Sequence, residues 1–241
     1  MFKSLRIAIG FLTILPVSPL KIDSAAMGRA VAFFPLVGVI YAVVAWGSLR
    51  LFNYLFSETI AAWLTVCLIT VLNGAIHWDG IIDTADGLGG STPEQNRALM
   101  KDSRMGAFGG ISLGFLIIGK ILSLKTLADQ PLTIFIPLFS ISRWAMAFQI
   151  YTQTSVSEGL LKGFKVDNPQ AGLMIASVLT LLLGFWSFPS GIFMMGLTLL
   201  SLFLINPLIK WKFGGITGDI LGAINELIEL ICLLFLNIRL F

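Results

Sequence analysis

The chain has 241 residues, 56% of them hydrophobic and 12% charged, with a net charge of +3 and a mean hydropathy of +0.91. Soluble globular domains carry about 25% charged residues, so this composition excludes a surface that faces water all round and points to an integral membrane protein. The small net charge gives no ground for nucleic-acid binding, and the length suits one polytopic membrane domain, 1–241, rather than two.

In chain order, the first stretch is "MFKSLRIAIGFLTILPVSPL", a basic start followed by an apolar run. It resembles a signal peptide, but Pro16, Pro19 and the lack of a small-x-small cleavage site argue against one. It reads as an N-terminal interfacial or half-membrane helix that is retained. A span needs about 20 mostly apolar residues, and the runs that qualify are Val31–Leu49, Ile60–Ile76, Ala107–Leu124, Leu132–Tyr151, Gly172–Ser187, Gly191–Leu208 and Ile220–Leu236. Lipid leaves only helices or closed barrels as spanning structures, and no strand-like alternation is present. The expectation is an all-α bundle of about seven transmembrane helices. Pro189, between Ser187 and Ser190, allows either a tight hairpin or one broken span. Cys67 and Cys232 fall inside apolar runs and read as small buried residues.

With the N-terminus inside, the inner segments hold Lys3, Arg6, Lys21, Arg29, Arg97, Lys101, Arg104, Lys162, Lys165, Lys210 and Lys212, eleven cations. The outer segments hold Arg50, Lys125 and Arg239, three. That bias places the loops after the second span in the cytoplasm.

Three segments carry chemistry. "HWDGIIDTADGLGG", His77–Gly90, sets Asp79, Asp83 and Asp86 at i, i+4, i+7, one face of a helix. Unpaired, these carboxylates repel; a hard cation such as Mg²⁺ offsets the repulsion and leaves coordination positions for phosphate oxygens. Asp83 and Asp86 are candidate catalytic bases as well as ligands. Gly80, Gly87, Gly89 and Gly90 let backbone approach a bulky ligand. His77, the sole histidine, is a base or ligand candidate, or else a residue satisfying backbone at the membrane boundary.

"KDSRMGAFGG", Lys101–Gly110, supplies Lys101 and Arg104 for phosphate oxygens, with Asp102 a further ligand or a partner for a neighbouring base. "GGITGDILGAINELIELICLL", Gly214–Leu234, places Asp219, Glu226 and Glu229 at i, i+7, i+10. Carboxylates inside an apolar run mark function by default, with structural pairing to Lys120 or Arg143 as the alternative. "TADGLGG" at Thr84–Gly90 and "TGDILGA" at Thr217–Ala223 echo one another, which suggests a structural repeat and Asp219 as the fourth metal ligand.

Together these segments resemble the cobalamin synthase (adenosylcobinamide-GDP ribazoletransferase) family, in order and over nearly the whole chain. "FLTILPV", "GRAVAFFPLVG", Lys120 and Ser142–Arg143 also match. Ile14 stands where the family commonly has an arginine in "FxTRxP". The resemblance implies a Mg²⁺-dependent, multi-pass enzyme of the bacterial cytoplasmic (inner) membrane with its active site facing the cytoplasm. It implies transfer of adenosylcobinamide phosphate from adenosylcobinamide-GDP to α-ribazole or its 5′-phosphate, with release of GMP. Lys120, Arg143, Glu226 and Glu229 join the substrate-binding candidates on this ground. The partners are these substrates and the lipid bilayer, with a homo-oligomer allowed and nucleic acid not expected. A CDP-alcohol phosphotransferase fits less well, because its signature needs Ala-Arg where this chain has Asp83–Thr84. A cation-coupled transporter built on Asp219, Glu226 and Glu229 leaves the three interfacial aspartates unexplained.

Overall fold

The computed structural model describes residues 2–17, 24–156 and 168–238. Eleven α-helices run through them: α1 (Phe2–Leu12), α2 (Ser24–Val31), α3 (Phe34–Leu55), α4 (Glu58–Leu72), α5 (Ile76–Gly87), α6 (Pro93–Leu99), α7 (Ala107–Leu124), α8 (Leu132–Thr152), α9 (Pro169–Phe185), α10 (Ser190–Phe213) and α11 (Gly218–Leu236). A 3-10 turn, Lys125–Leu127, extends α7. Among the described residues there is no strand, only an isolated bridge between Ser155 and Ile216. Lys21, Lys162, Lys165, Arg239 and Pro19 lie outside the described residues.

The centre of the bundle is α8. Its apolar stretch is 78% buried, against 28% for α7 and α10. Small residues let neighbours come close: Ser140, Ser142, Ala145 and Ala147 are fully covered, and Gly38 of α3 lies so near the Phe139–Ser140 backbone that a Cβ there would collide with it. By contrast Phe115, Phe185 and Phe203 point outward, each more than 60% exposed. In water such a belt would drive association; in lipid it is the ordinary outer surface.

Four helices, α3, α7 with its 3-10 extension, α8 and α10, are singly long and apolar enough to cross a membrane. Each of the seven expected spans coincides with a helix, yet three of those helices differ from a simple span. α4 qualifies only jointly with α5, from which it is bent by 91°. α9 is apolar but has 17 residues, and α11 carries Asp219, Glu226 and Glu229. The chain is therefore a multi-pass helical membrane protein, with four or five spans among the described residues that satisfy length and composition. The break at Pro189 is a short turn, with α9 and α10 packed on each other through Gly184 and Gly191. The short helices α2 and α6 carry no periodicity that the sequence made visible.

Candidate active site

The site begins at the corner between α4 and α5. Gly74 and Ala75 both adopt positive φ, 64° and 60°, a conformation an alanine takes only when its surroundings impose it. They do: Asn73 Oδ1 accepts from the Ala75 amide at 2.8 Å, and the Ile14 amide donates to the Leu72 carbonyl at 2.9 Å. The position where the family commonly has a cation is thus a brace of this corner. After the turn α5 runs at right angles to α4, which we read as lying along the membrane boundary rather than through it.

The two faces of α5 do different work. On one side Gly80 presses against the Asp219 backbone, where a Cβ would strike the carbonyl oxygen. In return Gly222 of α11 leaves room for the His77 Cα, 3.1 Å from an ideal Cβ position. This pair of glycines allows α5 and α11 to cross at backbone contact and carries Asp219 to the aspartate face. On that face Asp83 is pushed up from 3.8 to about 6, first by burial and then by Asp79, Asp219 and Asp86. Four carboxylates therefore share one electrostatic neighbourhood.

Asp86 has a second task. Its Oδ2 accepts from the Gly106 amide at 2.7 Å and its Oδ1 from the Gly109 amide at 2.8 Å. Gly106 is the N-cap of α7 and has no side chain to close the helix; Asp86 supplies the cap from α5, where the helix dipole also favours a negative charge. A Cβ at Gly106 or Gly109 would run into this carboxylate. The "GAFGG" stretch carried that signal, glycines opening a helix beside an acid, and it went unread. Asp83 and Asp79 remain turned to an open cleft of about 320 Å³, lined also by Lys101, Asp102 and Arg104. Arg104 is already held: its Nη2 donates to Asp102 Oδ2 at 2.7 Å and its Nε to Oδ1 at 3.1 Å. The pairing keeps Asp102 down at about 2, chiefly through the Arg104 side-chain bond.

The loop carrying these cations is pinned through α6. Asn96 Nδ2 donates to the Lys212 carbonyl and Arg97 Nη1 to the Phe213 carbonyl, each at 2.6 Å. Both carbonyls belong to the last turn of α10, where a cation meets the negative end of the helix. Gly87 serves this packing, buried against Met100 and Phe213, and does not open toward the cleft; Gly89 is exposed.

The remaining candidates gather elsewhere. Lys120 of α7 donates to Glu226 and, at 2.6 Å, to Glu229. Arg143 of α8 donates to Glu229 and sits 3.8 Å above the Tyr41 ring. Asn225 lies 3.1 Å from His77 Nδ1. All seven side chains are buried, and none lines the cleft. Lys120, Arg143, Glu226 and Glu229 meet one another there, while Arg143 Nε and Nη2 are buried without a hydrogen-bond partner. His77 faces this cluster, on the side of α5 away from the cleft. Tyr41 and Asn225 were missed, because a tyrosine and an asparagine in apolar runs carry no spacing signal. Nor is the echo a structural repeat: Asp86 stands in the last turn of α5 and Asp219 in the first turn of α11. Among the described residues no three His, Cys, Asp or Glu side chains converge tightly enough to enclose a metal by themselves.

The profile of the cobalamin-5-phosphate synthase family matches residues 4–237. The chain belongs to that family. It is 35% identical over 237 residues to the adenosylcobinamide-GDP ribazoletransferase of Desulforamulus reducens, covering 95% of this chain and 94% of the relative. It is 35% identical to the enzyme of that name from Vibrio cholerae, covering 95% and 91%. With the Escherichia coli protein of the same name it shares 32%, covering 95% and 96%. No solved structure matches the chain.

Proposed function

We propose that this member of the cobalamin-5-phosphate synthase family transfers adenosylcobinamide phosphate from adenosylcobinamide-GDP to α-ribazole or its 5′-phosphate, releasing GMP. What supports the reading most is one juxtaposition in a chain that matches the family end to end: carboxylates on α5 face Lys101 and Arg104 across one open cleft. A diphosphate needs both sides of such a cleft. The cations hold its charge and position it, which is most of what phosphoryl transfer asks of a protein.

A Mg²⁺ ion fits the donor chemistry. Asp79, Asp83 and Asp219 offer hard oxygens, and the upward push on Asp83 from its acidic neighbours is repulsion that a cation offsets. Among the described residues no three carboxylates close on a metal alone; Mg²⁺ ordinarily completes its coordination with substrate oxygens and water. Bound there, Mg²⁺ would supply charge neutralisation on the diphosphate. Asp86, with both oxygens on α7 amides, is the buttress of the set.

The protein's own residues account for the rest. One acceptor already carries phosphate at its 5′ position, so the attacking oxygen is another ribose hydroxyl. Asp83, on the wall of the cleft, is placed to take that proton. Lys101 and Arg104 stabilise the phosphate leaving with GMP. No cysteine stands by the cleft: Cys232 is buried in α11 and Cys67 lies within α4. We read the step as direct in-line displacement with inversion at phosphorus. The cleft is read as facing the cytoplasm of a bacterial inner membrane, in keeping with the eleven-to-three charge bias and with α6 and the basic end of α10 meeting beside it.

The deciding experiment incubates purified protein and Mg²⁺ with adenosylcobinamide-GDP and α-ribazole, and separately with a CDP-lipid and its alcohol. GMP release from the first pair alone is expected. CMP release from the second pair would reassign the enzyme to phospholipid synthesis.

A further inference from the structure

On the face of α5 turned away from the aspartates, Ile81, Thr84, Ala85 and Leu88 form one wall of a slot of about 370 Å³. The other walls come from α7, α10 and α11. Everything that lines it is apolar except two hydroxyls, Thr84 and Ser112. It opens outward past Phe115, Leu208 and Leu227, all exposed side chains. None of the catalytic candidates enters it.

Three features read in order from the membrane boundary inward. At the mouth, Lys212 Nζ lies 3.4 Å from the Leu88 carbonyl, a long contact for an ammonium, and the same last turn of α10 carries exposed Lys210 and Trp211. Lysine and tryptophan grouped at a helix end are the side chains that settle at the headgroup layer, and clustered lysines favour anionic headgroups. One helical turn before Leu88, the Thr84 hydroxyl is buried without a hydrogen-bond partner. Threonines in helices usually bond back to the preceding turn, so an idle hydroxyl here is a polar point aimed into an apolar slot. Beyond it the slot follows α11 from Ile220 to Leu230. Those ten residues rise about 15 Å, which is half of the roughly 30 Å hydrocarbon layer.

We propose that this slot is a site for one anionic phospholipid, its phosphate at Lys212, an ester carbonyl accepting from Thr84, and one acyl chain between α7, α10 and α11. Charge at the mouth selects the headgroup, and the slot's depth matches a chain that ends at the bilayer middle. The lipid would wedge α5 against α10 and α11 from behind the active-site cleft. It is a structural component, distinct from the substrates.

The test is native mass spectrometry of the full chain, stripped of lipid in detergent and then supplied with phosphatidylglycerol or phosphatidylcholine. Wild type is expected to retain one phosphatidylglycerol in preference to phosphatidylcholine. Lys212→Glu should lower phosphatidylglycerol retention about fivefold or more, the worth of one lysine at an anionic surface. Leu227→Trp, which fills the slot, should abolish retention of both lipids. Thr84→Val keeps the shape, removes the hydroxyl and should weaken retention, which keeps the proposal testable if Leu227→Trp folds poorly. Equal retention of the two lipids by wild type, or undiminished retention by Lys212→Glu and Thr84→Val, would overturn the site. A dimer mass that Leu227→Trp splits would overturn it too, giving the slot to a second copy of the chain.

Discussion

Two acidic regions lie along α5 and α11, one on each side of their crossing, and they are built on opposite principles. Around the cleft Asp79, Asp83, Asp86 and Asp219 share one neighbourhood, and Asp83 is raised first by burial and then by the other three. In the buried cluster Glu226 and Glu229 are each met by a cation, and Asn225 donates to both. A buried charge must be paired within the fold, whereas a half-exposed one can wait for a partner from solution. On the proposed function, the difference separates what holds the helices from what acts on substrate.

The largest expected effect comes from breaking the open side. Asp83→Asn or Asp219→Asn should lower GMP release by about a hundredfold or more, the usual scale for losing a base or an electrostatic stabiliser. Thermal unfolding in detergent should be unchanged or slightly improved, because a repulsion is removed. Near-normal turnover in Asp83→Asn would sink the assignment.

The closed side should respond in the opposite way. Glu229→Ala strands Arg143 in the bundle and leaves Lys120 with Glu226 alone, and a broken buried pair typically costs about 3–5 kcal/mol. Lower yield and a clear drop in Tm are expected, with any surviving protein keeping its KM. A KM raised by tenfold at unchanged Tm would instead make the cluster part of the substrate site.

Between these extremes stands Asp86, which belongs to the acidic face yet is spent on α7. Asp86→Ala leaves two helix N-terminal amides without their acceptor, a loss of about 1–2 kcal/mol of the N-cap kind. Stability and turnover should both fall modestly, and Asp86→Asn, which keeps one acceptor oxygen, should fall less. An activity loss as deep as that of Asp83→Asn with no change in stability would place Asp86 in the reacting set.

The smallest effect is on pH. Asp83 binds its proton more tightly in the folded protein than at its ordinary 3.8, so in the interval from there to about 6 the native state holds more protons than the unfolded one. Stability without metal should therefore decline as pH rises through that window. Asp83→Asn should flatten the slope, and a saturating divalent cation should oppose it.

How much of this could be read beforehand depends on how local the signal was. The aspartate spacing needs only a helix, and it was legible. Long apolar runs gave the helices that cross or line the membrane, and the Pro189 break. The right-angle corner at Gly74–Ala75 was not legible, because an alanine at positive φ is set by Asn73 and the Ile14 segment rather than by its own preference. Nor did "TADGLGG" and "TGDILGA" disclose that one ends a helix and the other begins one. Pairing across the bundle was the hardest to see: Lys120, Arg143 and Glu229 lie far apart in the chain, and only the packing of α7, α8 and α11 brings them together. The capping role of Asp86 was hidden for the same reason, since its donors are backbone amides twenty and twenty-three residues on.

The central claim is that the open carboxylates hold a divalent cation and the closed ones do not. Mn²⁺, as a stand-in for Mg²⁺, can be titrated into the detergent-solubilised protein and its bound fraction followed by electron paramagnetic resonance. Binding by wild type, its loss in Asp83→Asn and Asp219→Asn, and its retention in a folded Glu226→Gln protein are expected. Undiminished Mn²⁺ binding in both aspartate variants, or its loss only in Glu226→Gln, would contradict the assignment.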